Sequence, residues 1–232
     1  MHALKTASIN FVSREHVAAL FAGKRVAIVG SAPSALRNRG SVIDAFDLVV
    51  RVNNYKLRPW ENRLGHRTDV FYSFFGHSIK KRKVDLIRDG VSLCMCKCPN
   101  GQPIDSPWHA GERYRGVDFR WIYERRADWW FCDTYIPSET DFLEPFEILG
   151  RRMPTTGFAC IFELLRFDCE LYLTGFDFFT SRVHNVNERW RSGNAEDPIR
   201  HAPERERAWL KQYVAKHPER VRLDTVLRRM LT

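Results

Sequence analysis

Short apolar segments that end in a turn constrain the fold of this chain more than any other feature of its sequence. Residues 24–30, KRVAIVG, form a β-branched apolar run that ends in glycine, which is typical of a strand buried on both faces of a parallel sheet. Further strands are predicted over residues 47–53, 69–75, 91–97, 119–124 and 170–174. Helices are predicted over residues 13–20, 77–89, 156–167, 203–216 and 224–231. The alternation of the two kinds of element predicts an α/β fold with a largely parallel sheet at its core.

The chain shows neither a repeat nor a long linker, so we predict one domain over residues 1–232. No apolar run approaches the roughly 18 residues that span a bilayer, and the first residues lack the apolar stretch of a secretory signal. The six cysteines do not have the spacing of a disulfide framework in a chain of this size. We therefore expect a cytoplasmic protein.

The formal net charge of +9 favours anionic partners, such as nucleotide phosphates, acidic glycans or membrane headgroups. The chain has no long basic run, no zinc-finger spacing and no aromatic RNA-binding motif, so we expect no nucleic-acid partner. Four arginines surround a few apolar residues near the C-terminus: Arg220, Arg222, Arg228 and Arg229. They favour peripheral contact with an anionic membrane at its inner face. The alternative is an ordinary amphipathic helix that packs on the sheet.

Two patterns bear on metal binding. Cys94, Cys96 and Cys98 alternate along a predicted strand and so share one of its faces. No His or Cys pair lies nearby at a zinc-like spacing, which favours small buried residues over a metal site. The chain also lacks an Asp-x-Asp element after a strand, since Asp177 stands alone in GFDFF. We therefore predict no metal site.

A turn of small residues follows the strand over residues 24–30, and it contains Gly30, Ser31, Ala32 and Ser34. Backbone N–H groups in such a turn can approach a phosphate because no bulky side chain intervenes. Ligands of open α/β sheets also bind at the carboxyl ends of strands. The turn has neither the G-x-G-x-x-G fingerprint nor the Walker ending. A tight turn after a core strand, without a ligand, is the alternative.

Two other polar clusters occupy comparable positions. Arg51 and Asn53 share one face at the end of a predicted strand, where a buried polar side chain needs either a ligand or a structural network with residues 64–69. Residues 155–157, Thr-Thr-Gly, open a predicted helix, where hydroxyl groups and backbone N–H groups favour an anion. A plain N-cap is the alternative for this second cluster.

One histidine lies in a position suited to acid–base chemistry. His201 immediately precedes a predicted helix, and Glu206 lies about one turn inside it. A histidine can serve as a general base because its unperturbed pKa lies near the working pH. A nearby carboxylate can orient the ring. The alternative is an exposed histidine without a catalytic role.

In their order and spacing these clusters resemble the motifs of the sialyltransferases, both the eukaryotic family and the small bacterial family that uses the same donor. Residues 26–74 resemble the long donor-binding motif, from the Gly-small-x-x-Ser turn through Arg51-x-Asn53 to a Thr-Asp-Val segment. Residues 154–176 are similar to the short motif, including its terminal hydrophobic-Gly-Phe. His184 lies where the family often has a third-motif histidine, and the spacing of His201 and Glu206 matches the His-x4-Glu of the last motif.

The resemblance implies site residues. It implies that His201 and Glu206 are catalytic, with His184 as an alternative base. The residues implied to bind the donor are Gly30, Ser31, Ala32, Ser34, Asn53, Ser73, Thr155, Thr156, Gly157, Gly175, Phe176 and His184. The chain departs from the bacterial enzymes at Phe178 and Phe179, which stand nearest to the tyrosines that hold the donor phosphate there, because phenylalanine cannot donate a hydrogen bond.

The resemblance also implies a single-domain, Rossmann-like fold, a variant of the GT-A glycosyltransferase fold. The implied reaction is inverting transfer of sialic acid from CMP-sialic acid to a hydroxyl group of a glycan or glycolipid, with no cofactor and no metal. Transfer of Kdo from CMP-Kdo stays open, since both donors are CMP-linked ulosonic acids. A non-catalytic module that binds nucleotides or anionic surfaces is the alternative of another class, because such a protein needs no base at position 201.

Overall fold

The computed structural model describes residues 10–76, 79–99, 131–181, 183–184, 188–189 and 201–232. Within them one sheet contains β1 (Phe11–Val12), β2 (Lys24–Val29), β3 (Leu48–Val52), β4 (Val70–Ser73), β5 (Leu93–Cys96), β6 (Asp133–Tyr135), β7 (Cys169–Thr174) and β10 (Val221–Leu223). The strand order is β1-β6-β5-β4-β3-β2-β7-β10, and every neighbouring pair is parallel. Strands β8 (Val183–His184) and β9 (Glu188–Arg189) form a separate antiparallel pair. The predicted parallel α/β sheet is therefore confirmed.

The described helices are α1 (Arg14–Phe21), α2 (Gly40–Asp44), α3 (Glu61–Leu64), α4 (Lys83–Arg88), α5 (Glu139–Ile148), α6 (Thr156–Leu164), α7 (Pro203–Lys216) and α8 (Thr225–Leu231). A short 3₁₀ helix spans Pro33–Arg37. Ser13, Thr155 and Asp224 cap α1, α6 and α8, because each side chain accepts a hydrogen bond from the backbone N–H three residues later.

The helices cover both faces of the sheet. Side chains alternate along β2, so that Val26 and Ile28 face one apolar cluster while Ala27 and Val29 face another. Helices α1, α6, α7 and α8 contribute to the first cluster, and α2, α3, α4 and α5 contribute to the second. The result is a three-layer sandwich whose strands are buried on both faces, which explains their continuous apolar sequences.

Some elements differ from the sequence prediction. The helix predicted over residues 77–89 covers only Lys83–Arg88, because the backbone at Arg82 is still extended. No sequence pattern predicts α5, whose interior holds Pro145, a residue that lacks the N–H for an intrahelical bond. Strands β1, β6 and β10 have only two or three residues, too few to produce a pattern. The strand predicted over residues 119–124 lies outside the described residues.

Arg51 belongs to a structural network, the second of the two alternatives at this position. Its side chain is 1% exposed, and its guanidinium donates to the carbonyls of Leu64 and Arg67 and to the hydroxyl of Thr68. Burial lowers its pKa to about 10. Arg51 therefore fixes the loop after α3 against the end of β3.

The cysteines and the C-terminal segment are also structural. Cys94, Cys96 and Cys98 are buried, and no metal-binding cluster of His, Cys, Asp or Glu is found among the described residues. The guanidinium of Arg220 donates to the carbonyls of Leu165, Phe167 and Cys169, and the leucines of α8 are buried. The C-terminal segment is thus the docked helix of the alternative interpretation. Among the residues described, no helix has the length and apolar character needed to cross a membrane.

Candidate functional site

A pocket opens at the carboxyl edge of the sheet, where β2, β3 and β7 end beside the N-terminus of α6. The described residues that line it are Ser31, Ala32, Val52, Asn53, Thr155, Thr156, Gly157, Phe158, Ile161, Gly175, Phe176, Asp177, Phe178, Phe179 and Glu206. Nine of these residues belong to the set that the sequence implies for donor binding or catalysis. Open α/β sheets bind ligands at this edge, where strand ends and helix N-termini meet.

The floor of the pocket depends on close contact between two glycines. A Cβ atom on Gly30 would lie 2.2 Å from the carbonyl oxygen of Gly175, and Gly175 itself has a φ of +74°. The turn after β2 is joined to the turn after β7 by a hydrogen bond of 2.9 Å from the N–H of Ala32 to the same carbonyl. Glycine is needed at both positions because no side chain fits between these backbones. Gly30 thus supports the pocket without lining it.

A buried polar network holds the turn after β7. The carboxylate of Asp224, at the start of α8, accepts hydrogen bonds from the hydroxyl of Thr174 at 2.7 Å and from the N–H of Gly175 at 3.2 Å. The Thr174 hydroxyl in turn accepts from the amide of Asn38 at 2.7 Å, and the hydroxyl of Tyr172 donates to the Asn38 carbonyl oxygen at 2.8 Å. These bonds join three segments beneath the pocket, so they fix its shape before a ligand binds.

Asn53 lies at the end of β3, and a hydrogen bond from Ser73 defines the orientation of its side-chain amide. Its φ is +49°, a left-handed conformation that asparagine adopts more readily than most residues. The hydroxyl of Ser73 donates to the side-chain carbonyl of Asn53 at 3.1 Å, while it accepts the N–H of Phe75. This arrangement assigns the oxygen of the Asn53 amide to Ser73 and leaves the NH₂ group as the donor toward a ligand. Ser73 therefore orients Asn53 and does not line the pocket itself.

Ser34 lies in the 3₁₀ helix that follows the β2 turn. Its hydroxyl oxygen is buried and has no hydrogen-bond partner among the described residues. An unsatisfied buried hydroxyl costs about 1–3 kcal/mol, so such a group usually has an external partner. An oxygen atom of a bound ligand near Ser31 and Ala32 would supply one.

The N-terminus of α6 is held by side chains from two other parts of the chain. Thr155 is the N-cap: its hydroxyl accepts the N–H of Phe158 and donates to Glu206 at 2.8 Å. The second oxygen of Glu206 accepts the N–H of Thr155 at 2.6 Å. The ammonium of Lys97, just beyond β5, donates to the carbonyl of Pro154 at 2.6 Å. We call residues 153–155 the cap segment, because it leads into the helix cap and is fixed by these contacts.

His201 contacts the same cap segment. Its ring atom Nδ1 lies 2.7 Å from the carbonyl oxygen of Met153, and a carbonyl can only accept. In the neutral ring the proton therefore sits on Nδ1, and Nε2 carries the lone pair that can accept a proton. The sequence suggests that Glu206 orients this ring. In the structure the carbonyl of Met153 holds Nδ1, and both carboxylate oxygens of Glu206 bind Thr155.

Glu206 has unusual electrostatics for a carboxylate. It is 2% exposed, and burial raises its pKa to about 7, although the hydrogen bonds from Thr155 and the charge of Lys97 act in the opposite direction. Burial also lowers the pKa of Lys97, which is 5% exposed. A carboxylate and an ammonium group thus lie buried on the two sides of the cap segment. Their perturbed pKa values are typical of a functional site, although structural ion pairs produce them too.

We expect Glu206 to lower the unfolding free energy as the pH rises from about 4.5 to about 7. In the folded protein this carboxyl group keeps its proton up to about pH 7, whereas an unfolded chain loses it near the ordinary value of 4.5. Folding is therefore favoured by this group below pH 4.5, and the unfolding free energy decreases by at most about 1.4 kcal/mol per pH unit until pH 7. Urea titrations at several pH values measure the slope.

The matched comparison uses two variants of the same helix. Glu206→Gln removes the titrating group, so its unfolding free energy is expected to decrease less between pH 4.5 and pH 7 than that of the unmodified protein. Glu204→Gln is the control, because the Glu204 side chain is 73% exposed on the first turn of α7. Equal slopes for Glu206→Gln and the unmodified protein would show that Glu206 titrates normally.

The turn after Phe176 is a part of the site that the sequence does not predict. The carboxylate of Asp177 accepts the backbone N–H groups of Phe179 and Ser181, both at 3.1 Å. Phe178 and Phe179 follow with φ values of +49° and +63°, which non-glycine residues rarely adopt. Such conformations often occur at functional sites. The turn presents aromatic surface to the pocket, and Asp177, which the sequence considers only as a missing metal ligand, organises it.

His184, the alternative base, lies in the short strand β8, and the structure describes only the backbone at this position. Arg182, which could supply the phosphate contact that Phe178 and Phe179 cannot make, lies outside the described residues.

Comparison with known proteins bears on the fold. No protein-family model matches the chain, and no curated protein matches it in sequence. Solved structures do match. The sialyltransferase CstII from Campylobacter jejuni, in complex with cytidine-5'-monophosphate, is similar with a TM-score of 0.53 and 15% identity, over 87% of this chain and 80% of that one. A mammalian sialyltransferase in complex with Gal-beta-1-3GalNAc-ortho-nitrophenol is similar with a TM-score of 0.51 and 17% identity, over 89% of this chain and 71% of that one. The chain therefore has a sialyltransferase-like, Rossmann-like α/β fold, as predicted from its motifs.

Proposed function

We propose that this protein is an inverting glycosyltransferase that moves sialic acid from CMP-sialic acid to a hydroxyl group of a glycan or glycolipid. One observation carries the proposal: the pocket at the carboxyl edge brings Asn53, the β2 turn and the start of α6 together, and the cap segment ties His201 to the same helix start. The similar structures are sialyltransferases, one of them with cytidine-5'-monophosphate bound, which supports a CMP-linked donor.

The pocket supplies the groups that a nucleotide donor requires. The NH₂ group of Asn53 can donate to an oxygen of the ribose or the phosphate. Ser34 is not among the described residues that line the pocket, and its buried hydroxyl lies in the 3₁₀ helix that follows the β2 turn. The backbone N–H groups at Thr156 and Gly157 open α6, where the helix dipole favours negative charge. These donors would stabilise the charge that develops on the departing phosphate, so no metal ion is required for that task.

The chemistry then proceeds in one displacement. The hydroxyl oxygen of the acceptor attacks the anomeric carbon of the donor sugar on the face opposite to the phosphate, and the configuration inverts. Nε2 of His201 accepts the hydroxyl proton as the new C–O bond forms. The bond between the anomeric carbon and the phosphate oxygen breaks, and its electron pair leaves with CMP. The oxocarbenium-like transition state is favoured because CMP is a good leaving group.

The direct test measures CMP release. The protein is incubated with CMP-sialic acid or CMP-Kdo, with and without a panel of glycan acceptors, in the presence of either EDTA or magnesium. We expect acceptor-dependent release of CMP from CMP-sialic acid that continues in EDTA. Release from CMP-Kdo alone would assign the other donor. Thermal stabilisation by UDP or NAD but not by CMP would overturn the proposal, and CMP binding without any turnover would favour a non-catalytic nucleotide-binding module.

The variant Asn53→Ala is expected to weaken CMP affinity by about tenfold, because it removes a hydrogen-bond donor to the nucleotide. Calorimetric titration with CMP measures the change. The control is Asn62→Ala, since Asn62 is an exposed residue of α3 that does not line the pocket. Equal CMP affinities for the two variants would place the nucleotide away from the end of β3.

We propose peripheral contact with an anionic membrane, through a surface that we call the α4 face. It contains the exposed apolar residues Val84 and Ile87, which are 58% and 54% exposed, and the nearby cation Lys80. Arg82 and Arg88 lie beside them and pair with Asp85, so their charges are partly neutralised. Apolar and basic side chains on one exposed surface are typical of proteins that bind membrane interfaces. Because Arg220 is bonded to three backbone carbonyls, the α4 face is better suited to lipid than the C-terminal segment.

We expect the protein to sediment with vesicles that contain phosphatidylglycerol and not with vesicles of phosphatidylcholine alone, and we expect salt to weaken the binding. Combined substitution of Val84→Asp and Ile87→Asp should abolish this binding. The control is Val42→Asp, which changes a valine of α2 that is 49% exposed. Binding that resists salt, or that Val42→Asp reduces equally, would exclude electrostatic attachment through the α4 face.

A further inference from the structure

A cysteine of β5 and a cysteine of the bend before β6 lie side by side on the sheet face covered by α2 to α5. The sulfur atoms of Cys94 and Cys132 are 3.6 Å apart. Cys94 is fully buried in the middle of β5, whereas Cys132 is half-buried in the bend that leads into β6. Both side chains belong to the same apolar cluster. One thiol is thus accessible to a small molecule, and the second lies directly behind it.

The backbone permits the two sulfurs to approach further. The β5–β6 pairing begins with Leu93 opposite Asp133 and continues with Cys94 opposite Thr134, so Cys132 immediately precedes the paired part of β6. The sulfurs must move closer by about 1.5 Å to reach a bond length near 2.05 Å. Cys132 lies outside the strand ladder, and therefore its segment can shift without breaking the strand hydrogen bonds of β6. Cys94, which is held within β5, stays in place.

The two thiols also differ in acidity. Disulfide exchange requires the accessible thiol to be the more acidic one, and Cys132 is. A hydrogen bond from the Cys94 thiol, together with the backbone N–H of Cys94, lowers the pKa of Cys132. The same hydrogen bond and burial raise the pKa of Cys94. Burial, with a smaller effect from Glu163, raises the pKa of Cys160, and burial raises that of Cys169 although Arg220 acts in the opposite direction. Cys132 is therefore the more reactive thiolate of the pair.

We propose that Cys94 and Cys132 form a reversible intramolecular disulfide. This site is independent of the proposed transferase function. It takes a small-molecule disulfide as its oxidant, and it links β5 to β6 across residues 95–131.

The exchange has two balanced steps. The Cys132 thiolate attacks one sulfur of the small-molecule disulfide, forms a mixed disulfide and releases one small-molecule thiolate, which takes up a proton. Cys94 then loses its proton and attacks the Cys132 sulfur. The protein disulfide forms, and the second small-molecule thiolate leaves. In total the two protein thiols lose two electrons and two protons, and the oxidant is reduced to two thiols.

A covalent link between β5 and β6 constrains the unfolded chain, since it closes the loop over residues 95–131. The model of loop-closure entropy predicts that such a link raises the thermal midpoint by about 8–15 °C. A reducing agent should reverse the shift. In a reducing compartment the dithiol form prevails, and the disulfide forms when the ratio of oxidised to reduced small-molecule thiol rises.

The test uses the intact protein with oxidised glutathione as the oxidant. After incubation and removal of the reagent, we expect four of the six cysteines to react with a thiol reagent under denaturing conditions, no retained glutathione, and one peptide pair joined through Cys94 and Cys132 in mass spectrometry. The thermal midpoint should rise and return after reduction. Six reactive thiols, or a linked pair that involves other cysteines, would overturn the proposal.

Three variants separate the steps. Cys94→Ser should retain one glutathione on Cys132, because the thiol that resolves the mixed disulfide is missing. Cys132→Ser should neither retain glutathione on Cys94 nor form the link. Cys160→Ser, the control, removes a buried cysteine of α6 and should form the link as the unmodified protein does. Stable glutathionylation of Cys132 in the unmodified protein would show that Cys94 does not resolve it.

Discussion

Replacing His201 with alanine is expected to lower turnover by about 10²- to 10⁴-fold while CMP affinity changes little. The hydrogen bond from Nδ1 to the carbonyl of Met153 directs the lone pair of the neutral ring to Nε2. Only Ala202 separates His201 from the first residue of α7, and the positive end of the helix dipole is expected to disfavour an imidazolium there. The hydrogen bond sets the tautomer and the dipole opposes the charged form, so together they suit Nε2 to accept a proton from the acceptor hydroxyl.

The assignment is tested by measuring CMP affinity and turnover on the same preparations. His66→Ala is the control, because the His66 ring is exposed and pairs with Asp44 on another part of the surface. In the competing assignment, His201 contacts the phosphate and His184 accepts the proton of the acceptor hydroxyl. In that case His201→Ala loses CMP affinity, and His184→Ala abolishes turnover with CMP binding intact. The two assignments are distinguishable because His201→Ala loses turnover under the first and CMP affinity under the second.

Glu206 should matter less to the chemical step than His201. In the structure it binds Thr155 through both carboxylate oxygens, so its removal disturbs the start of α6 and acts on the base only through the cap segment. Glu206 is thus a positioning residue, and the pH dependence of stability described above reports on it separately from turnover.

Gly30→Ala is expected to be the most damaging small change outside the base. Its new Cβ would lie 2.2 Å from the carbonyl oxygen of Gly175 and 2.8 Å from the carbonyl carbon, and backbone atoms cannot rotate away. The turns after β2 and β7 must separate, and the hydrogen bond from Ala32 to Gly175 is then strained or lost. We expect a loss of about 3 kcal/mol in unfolding free energy, the upper range for overpacking, and at least a tenfold loss in CMP affinity.

Chemical denaturation and CMP titration measure the two effects. Gly23→Ala is the matched control: its Cβ would meet no atom within 4 Å, although its φ of +67° makes an alanine strained. That strain alone should cost about 1–2 kcal/mol without any change in CMP affinity. If Gly30→Ala bound CMP as tightly as Gly23→Ala, the contact between the two turns would have no role in donor binding.

The parts of the molecule that the sequence predicts are those governed by local patterns. β2 and β3 carry largely apolar runs because helices cover both faces of the sheet, and the position of the pocket follows from where β2, β3 and β7 end. The N-cap at Thr155 also follows from residue type. Of the two alternatives stated for that position, the structure shows the cap; the anion site stays a prediction, and Thr156 and Gly157 line the pocket where it would lie.

The features that the sequence does not predict depend on contacts between residues that are far apart in the chain. Lys97 follows a strand rich in cysteine, and nothing local indicates that its ammonium is buried against Pro154. The partner of the His201 ring is not predicted for the same reason. The sequence spacing pairs the ring with Glu206, whereas in the structure the carbonyl oxygen of Met153 lies 2.7 Å from Nδ1. The left-handed backbone at Phe178 and Phe179 also escapes prediction, because residue preferences oppose it, whereas the hydrogen bonds to Asp177 favour the turn.

The cap segment has a consequence for the order of substrate binding. The carbonyl of Met153 holds the ring of His201, and two residues later the same segment becomes the cap of the helix whose first N–H groups we propose as donors to the phosphate. A nucleotide bound by these N–H groups would therefore be coupled through the cap segment to the position of the imidazole. We expect the base to be best placed when the nucleotide is bound, so that an acceptor which arrives first is at a disadvantage. Steady-state kinetics should accordingly follow a compulsory sequence, with the nucleotide sugar entering before the acceptor and CMP leaving last.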